Sequence, residues 1–316
     1  MSTQQLYTPP FFHAPRHTTL VYWLVFVCVA LTLSATGCSL LLSSPQENEN
    51  TEDRLYAQSM LLGMKSWQAG QIKAAQQMYN QALTRARTMD STSKIADSAY
   101  NLAACHIVLH DWDAALPLLD EAILTGDRPA DSLLLKTRTL RYTGQTEEAR
   151  DTAHQALNAA LATGHDEIAT EARLQLGLLD CEAGQSKEAR QWLVAAGHGM
   201  QKETTIPSAK QLAGCLANLD NAPATAALYF DEETTLLRDQ NVYSGLPASL
   251  ARAGKAYAKA GNHQAALDRF YRAARTASAN QLPQETTQYA TLGLEQARLI
   301  ERTDYISLLQ SFLHAD

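Results

Sequence analysis

Small and apolar residues return in a fixed frame along most of the chain. Residues 61–83 and 251–274 share one pattern: a small residue, six residues, Gly, four residues and Ala, then an aromatic four later and Ala three after that. Alanine is abundant and only 10 prolines interrupt the chain, which favours helix over strand. The pattern therefore predicts pairs of packed helices joined at the glycine.

The frame recurs six times, with its first alanines 34 to 40 residues apart. These are Ala75, Ala115, Ala149, Ala189, Ala226 and Ala266. The second alanines are Ala82, Ala122, Ala156, Ala196 and Ala273, with Glu233 in the remaining copy. The turn positions are Gly70, Gly144, Gly184 and Gly261, with His110 and Asn221 in the other two. Glycine there supplies the positive φ that ends a helix, and the aromatic or leucine is expected to face the next repeat.

These positions resemble the tetratricopeptide repeat (TPR), a two-helix unit of 34 residues. The resemblance covers about residues 55–280, and residues 282–316 predict one further helical pair that covers the open end. It implies an all-α fold: a right-handed superhelical solenoid of about six TPR-like helix pairs plus a C-terminal capping helix pair.

The N-terminal segment has a different character. Residues 20–33 form an uncharged apolar run of about 14 residues, which suits a signal peptide and is short for a spanning helix. Ala35, Thr36 and Gly37 then precede Cys38, which resembles a bacterial lipobox, although Ala35 stands where leucine is usual. An uncleaved signal anchor and ordinary cleavage after Gly37 are the alternatives.

The predicted division is a lipoprotein signal peptide over residues 1–37, lipidated Cys38 with a flexible polar tether to residue 53, and a repeat domain over residues 54–316. The lipobox resemblance implies a palmitate-type anchor on Cys38. Ser39 follows it, and no Asp marks inner-membrane retention. In a Gram-negative cell this implies the periplasmic face of the outer membrane.

Charge and cysteine content narrow the possible functions. The net charge is −7 and no basic block occurs, so nucleic acid is not an expected partner. Cys105, Cys181 and Cys215 have no CxxC spacing, and small buried thiols are expected. One disulfide among the three stays open if the body is exported.

Catalytic signatures are absent from the sequence. No GxSxG, P-loop or Gly-rich dinucleotide fingerprint occurs, and Ile107 stands where a zincin helix containing His106 and His110 needs Glu. We therefore predict a non-enzyme with no metal, cofactor or small-molecule substrate.

The TPR resemblance also implies a concave groove lined by the first helix of each pair. Its positions in repeats one and two are Met60, Met64, Trp67, Tyr100, Ile107 and Val108. Repeats three and four contribute Leu134, Arg138, Arg141, Tyr142, Leu174, Leu178 and Cys181, and repeats five and six contribute Gln211, Cys215, Asn218, Lys255 and Lys259. The apolar N-terminal half suits a partner helix or peptide, although several of these residues are equally expected to pack against a neighbouring repeat.

Together these features predict a membrane-anchored bacterial TPR lipoprotein that acts as a protein–protein interaction scaffold in the cell envelope. The alternative is an accessory subunit that recruits or regulates an envelope enzyme, such as a cell-wall hydrolase or protease, or a secretion or pilus assembly complex.

Overall fold

The computed structural model of this chain describes residues 51–126, 129–197 and 205–313. Within those ranges the chain forms fourteen α-helices, one short 3-10 turn at Tyr243–Gly245, and no strand. The first eight helices are α1 (Thr51–Gln68), α2 (Ile72–Thr88), α3 (Thr92–Val108), α4 (Trp112–Thr125), α5 (Pro129–Tyr142), α6 (Thr146–Thr163), α7 (Asp166–Glu182) and α8 (Ser186–Ala195). The remaining six are α9 (Pro207–Leu219), α10 (Pro223–Asp239), α11 (Leu246–Lys259), α12 (His263–Ala279), α13 (Pro283–Leu299) and α14 (Thr303–Leu313).

Each helix packs chiefly against the helices before and after it in the chain. The fourteen helices therefore form seven pairs in a row, and the predicted solenoid of six pairs plus a capping pair is confirmed. The last pair, α13 and α14, covers the end of the sixth repeat. Its Leu309 is buried in one cluster with Leu250 and Leu267.

The alanine frame is the packing core of the solenoid. All six first alanines are 0% exposed, because each lies where a second helix meets its neighbours. A larger side chain would separate the helices at these points. The exception at the second alanine position, Glu233, is also buried, and its carboxylate accepts a hydrogen bond from Arg252 at 2.6 Å.

The turns between paired helices have the predicted backbone conformation. Gly70 and Gly144 have φ of 72° and 77°, in the left-handed region. The two substitutes follow the same geometry, with φ of 59° at His110 and 57° at Asn221. Asparagine tolerates this region better than most residues, whereas His110 adopts it at a cost that the surrounding turn must offset.

In the first, fifth and sixth pairs, the small residue of the first helix lies against a ring from the second helix of the same pair. A Cβ on Gly63 would lie 2.7 Å from the Tyr79 ring, and one on Gly214 would lie 2.6 Å from the Phe230 ring. These rings thus fill the space inside their own pair.

The expectation of small buried thiols holds for one of the three body cysteines, and the disulfide that was left open joins the other two. Cys181 on α7 and Cys215 on α9 form a disulfide, with 6.3 Å between their Cα atoms. The cause is direct contact between these two first helices, which brings the side chains together across a sequence separation of 34. Cys105 is a free buried thiol as predicted, and burial raises its pKa to about 12.

The predicted signal peptide and Cys38 lie outside the described residues. The tether prediction needs one correction: α1 begins at Thr51, so residues 51–53 are helical. Glu52 and Asp53 form ion pairs with Arg85 and Lys94, which holds this first turn against α2 and α3. Of the helices that the structure describes, none combines the length and the apolar character that a membrane span requires.

Candidate functional site

The first helices of the pairs lie on the inner side of the solenoid. Helix α5 contacts α7, and α7 contacts α9, across the second helices that separate them in the chain. Such contacts arise where the array curves toward its first helices. The predicted groove positions lie on these first helices, where the structure divides them into three parts.

The N-terminal part offers an apolar, partly exposed surface. Met60, Met64, Trp67, Tyr100 and Ile107 are all half-buried. Several of them rest on a buried cluster beneath, which includes Tyr79 and Leu83 from α2. Met60, Trp67 and Tyr100 thus have one side fixed by packing and another side that is solvent-accessible.

This surface continues into a cleft of about 1120 Å³ beside the turn between α1 and α2. Trp67, Ile72 and Val108 are on one wall, and the opposite wall comes from the loops before α11 and α13, with Tyr243 and Leu282. Among the lining residues only Lys73 is charged. The cleft is therefore suited to uncharged, largely apolar groups.

A polar group also lines the cleft. The Gln240 side-chain amide donates a hydrogen bond to the Thr205 carbonyl at 2.8 Å. Its Oε1 atom is buried with no hydrogen-bond partner in the described structure. A buried acceptor of this kind costs free energy while it has no donor.

The cleft exists because the solenoid closes on itself. His110 at the turn of the second pair lies 2.7 Å from the Glu285 carboxylate at the start of α13, measured Nδ1 to Oε1. Beside it the Trp112 and Tyr142 rings stack with their centroids 6.0 Å apart. Repeats two and three thus meet repeat seven, which gives the cleft two walls from distant parts of the chain.

The central part of the predicted groove is filled by its own side chains. Leu134, Leu174 and Leu178 are 8%, 0% and 1% exposed, and Cys181 is 2% exposed. The prediction that these residues present a binding surface fails, because α5, α7 and α9 lie close enough for their facing side chains to form core. We leave them out of the candidate site.

A buried ionic network crosses the same region. The Glu171 Oε1 atom lies 2.7 Å from the Arg138 guanidinium and accepts hydrogen bonds from Gln175 and Ser208 at 2.9 and 2.5 Å. Burial by itself would raise the pKa of Glu171, but the Arg138 charge and these hydrogen bonds outweigh it and hold the pKa below its usual value.

Arg141 extends this network on the concave face. Its guanidinium lies 2.5 Å from the Glu182 carboxylate and donates to the Gln175 side chain at 3.2 Å. Arg138 and Arg141 were predicted as binding residues, and the structure gives both of them internal partners. Glu171 was not among the predicted residues, since only its contact with Arg138 distinguishes it from the other carboxylates of α7.

The C-terminal part of the predicted groove is polar and basic. Lys255 and Lys259 are exposed on α11, while Gln211 and Asn218 on α9 are half-buried. Tyr142 is also exposed, with Arg141 over its ring at 5.4 Å. The concave face thus changes from apolar in repeats one and two, through a filled centre, to basic in repeat six.

No family model and no curated protein matches this chain. It is similar to the solved structure of a Rap protein complexed with competence and sporulation factor: 15% identity, 86% of this chain and 82% of that chain covered, TM-score 0.62. It is also similar to the Rap conjugation gene regulator of plasmid pLS20 in complex with the Phr* peptide: 13% identity, 88% and 79% covered, TM-score 0.59. YrrB, a TPR protein with an unusual peptide-binding site, matches at 19% identity over 60% of this chain and 90% of that chain, with TM-score 0.41.

The repeats of this protein are TPR-like. At these identities the likeness shows the fold alone. The TPR-like frame accounts for the six alanines, the turn glycines and the solenoid itself. It leaves the chemistry of the concave face to the particular residues of this chain.

The histidines considered for metal binding have structural partners in the TPR-like array. His106 Nδ1 lies 2.8 Å from Asp111 Oδ2, and His110 pairs with Glu285. Across residues 51–126, 129–197 and 205–313, no group of three or more His, Cys, Asp or Glu side chains is arranged to hold a metal ion.

Proposed function

We propose that this protein is a lipid-anchored scaffold of the bacterial cell envelope that binds a helix or peptide of a partner protein. The observation that carries the proposal is the half-buried Met and aromatic surface of repeats one and two, which leads into the apolar cleft beside Trp67. Met and aromatic side chains of this kind pack against a partner helix or an extended peptide.

The comparisons support a peptide ligand. One of the similar solved structures holds the Phr* peptide, and another holds the competence and sporulation factor. Those ligands belong to the Rap proteins, and the residues that would contact a ligand here are those of this chain.

The proposed location rests on the Cys38 segment and on the disulfide. Disulfides persist in oxidising compartments such as the periplasm and are rare in the cytosol. The Cys181–Cys215 bond therefore favours export, in agreement with the signal peptide predicted for residues 1–37. We place the protein on the periplasmic face of the outer membrane if the cell is Gram-negative.

The second candidate is an accessory subunit that recruits or regulates an envelope enzyme or assembly complex. The same groove would then hold a segment of that enzyme or complex. Crosslinking in cells from a photoreactive residue at position 67, followed by identification of the captured protein, distinguishes the two: a hydrolase or protease favours the accessory role. Absence of any crosslink above that from position 124 on the outer surface contradicts the binding groove itself.

Replacing both Trp67 and Tyr100 with Ala is expected to reduce partner capture at least about tenfold, because large aromatic anchors dominate binding free energy. Both side chains are only half-buried, so the loss of stability should be smaller than for a core aromatic. Crosslinking yield from position 64 and urea unfolding followed by circular dichroism measure the two effects.

The matched control is Trp192→Ala, which removes another half-buried tryptophan, on the second helix α8. We expect this variant to lose stability without losing capture. Equal losses of helicity and capture in the Trp67 and Tyr100 variant would instead assign those residues to the core.

Replacing Cys38 with Ala should abolish acyl labelling and shift the protein from the membrane to the soluble fraction, because the acyl chains provide the stable anchor. Metabolic labelling with an alkyne palmitate and fractionation measure both. Cys28→Ala, in the apolar run, is the matched control and should change neither. Retention of the Cys38 variant in the membrane would favour the uncleaved signal anchor.

A further inference from the structure

Two concave helices carry cations and no acidic residue. Helix α9 has Lys210, and helix α11 has Arg252, Lys255 and Lys259, while neither helix has an Asp or Glu. The whole chain has a net charge of −7, so this is a local reversal of sign. It lies on the side of the solenoid that faces the groove.

Two of the four cations are neutralised inside the protein. Lys210 lies 2.6 Å from the Glu232 carboxylate, and Arg252 lies 2.6 Å from the Glu233 carboxylate. Both carboxylates belong to the second helix α10. These pairs join α10 to its neighbours and leave no charge for a ligand.

Lys255 and Lys259, unlike Lys210 and Arg252, are exposed. They lie one helical turn apart on the exposed stripe of α11, opposite the buried face that includes Leu250 and Ala253. Neither has an ion pair or hydrogen bond with any described residue. Helix α13 beside them carries Glu295 and Arg298 on exposed positions, which add no net charge.

The polar surroundings extend this surface across repeat five. Gln211 and Asn218 on α9 are half-buried and uncharged. The surface therefore offers two ammonium groups on α11 and no carboxylate from α9 or α11. Such a surface is complementary to side-chain carboxylates.

This basic surface is separate from the apolar site of repeats one and two. Lys259 is 13 residues beyond the start of α11, which is about 20 Å along the helix from the loop that lines the cleft. Along the concave face the filled centre, with Leu174, Leu178 and the Cys181–Cys215 disulfide, lies between them.

We infer that Lys255 and Lys259 form a second contact site that binds an acidic segment of the partner protein. The inference rests on the proposed function, since the same partner places its apolar segment in the groove and cleft of repeats one and two. Because the site is on the inner side of a curved array, it suits an extended chain better than a flat bilayer of anionic lipid. The contact adds affinity that salt weakens, as expected for exposed ion pairs.

Two fluorescein-labelled synthetic peptides test the inference. Both have the same apolar helical face and an amidated C-terminus, and they differ only in a tail of four Glu or four Gln. We expect the full-length, detergent-solubilised protein to bind the Glu peptide roughly threefold to tenfold more tightly than the Gln peptide at 50 mM NaCl. The difference between the two affinities should shrink at 300 mM NaCl, because salt screens exposed charges. Fluorescence anisotropy measures both affinities.

The Lys255→Glu, Lys259→Glu double variant should abolish or reverse this preference while binding the Gln peptide as the wild type does. Its matched control is Lys187→Glu with Arg238→Glu, which makes the same change of net charge at exposed positions on the second helices α8 and α10. The control should keep the preference.

Four results would overturn the inference. The first is an unchanged preference for the Glu peptide in the Lys255 and Lys259 variant, and the second is an equal loss of that preference in the control variant. The third is failure of the wild type to bind the Glu peptide. The fourth is binding of the wild type to phosphatidylglycerol vesicles that the Lys255 and Lys259 variant loses. Failure of the proposed function has a separate signature, because the Trp67 and Tyr100 variant would then bind the Gln peptide as well as the wild type does.

Discussion

Replacing Phe270 with Ala is expected to lower the free energy of unfolding by about 3–5 kcal/mol, as for other fully buried aromatic side chains. Phe270 is 1% exposed on α12. A Cβ on Gly254 would lie 2.9 Å from the ring, and one on Gly293 would lie 3.4 Å from the Phe270 Cβ. The ring thus packs inside the sixth pair, while the Cβ of the same residue lies beside the capping pair, and removal of the ring would leave a cavity at this point.

The loss of stability in the Phe270 variant should be confined to nearby repeats, because stability in a solenoid is the sum of contributions from each repeat and its nearest neighbours. Hydrogen exchange is expected to rise in α11–α14 and to change little in α1–α4, alongside a lower urea midpoint. Leu124→Ala is the control: this leucine is 86% exposed on α4, and its removal should cost less than about 0.5 kcal/mol. Uniform exchange changes along the whole array would contradict nearest-neighbour packing at Phe270.

Removal of the disulfide is the second large effect that we expect. A cross-link between residues 34 apart in sequence restricts the unfolded chain, and its loss should cost about 3–4 kcal/mol. The bond joins α7 to α9 directly, beside α8, which has only 10 residues. We therefore expect the junction between the fourth and fifth repeats to open first.

Urea unfolding of Cys181→Ala, Cys215→Ala with and without dithiothreitol measures this effect. The wild type should lose stability on reduction, whereas the double variant should be less stable than the oxidised wild type and insensitive to the reductant. Cys105→Ala is the matched control and should keep the full response to dithiothreitol, because Cys105 is a free buried thiol. A reductant effect of equal size in the double variant would show that the response has another source.

The filled centre of the concave face lies between the apolar site of repeats one and two and the basic site of repeat six. If Leu174, Leu178 and the disulfide occupy the middle of the groove, a partner cannot lie along it continuously. A partner with an apolar segment and a separate acidic segment would satisfy both ends.

The helical pairs were predictable from sequence because their signals are local. The first alanine, the turn glycine and the small residue recur at fixed offsets within each pair, and each reports a steric requirement of that pair. The requirement is strong enough that His110 and Asn221 adopt positive φ where they replace glycine. The corresponding buried alanines, such as Ala75 and Ala266, have no exposed surface at all.

The sequence by itself therefore determined the all-α repeat, the number of pairs and which residues of each pair face its partner helix. Only the tertiary structure decided which groove positions stay open, because that depends on how closely α5, α7 and α9 approach. The same curvature pairs Cys181 with Cys215, buries Glu171 beside Arg138, and brings His110 to Glu285 across 175 residues. These contacts join distant repeats, and a local frame of alanines and glycines carries no information about the angle between one pair and the next.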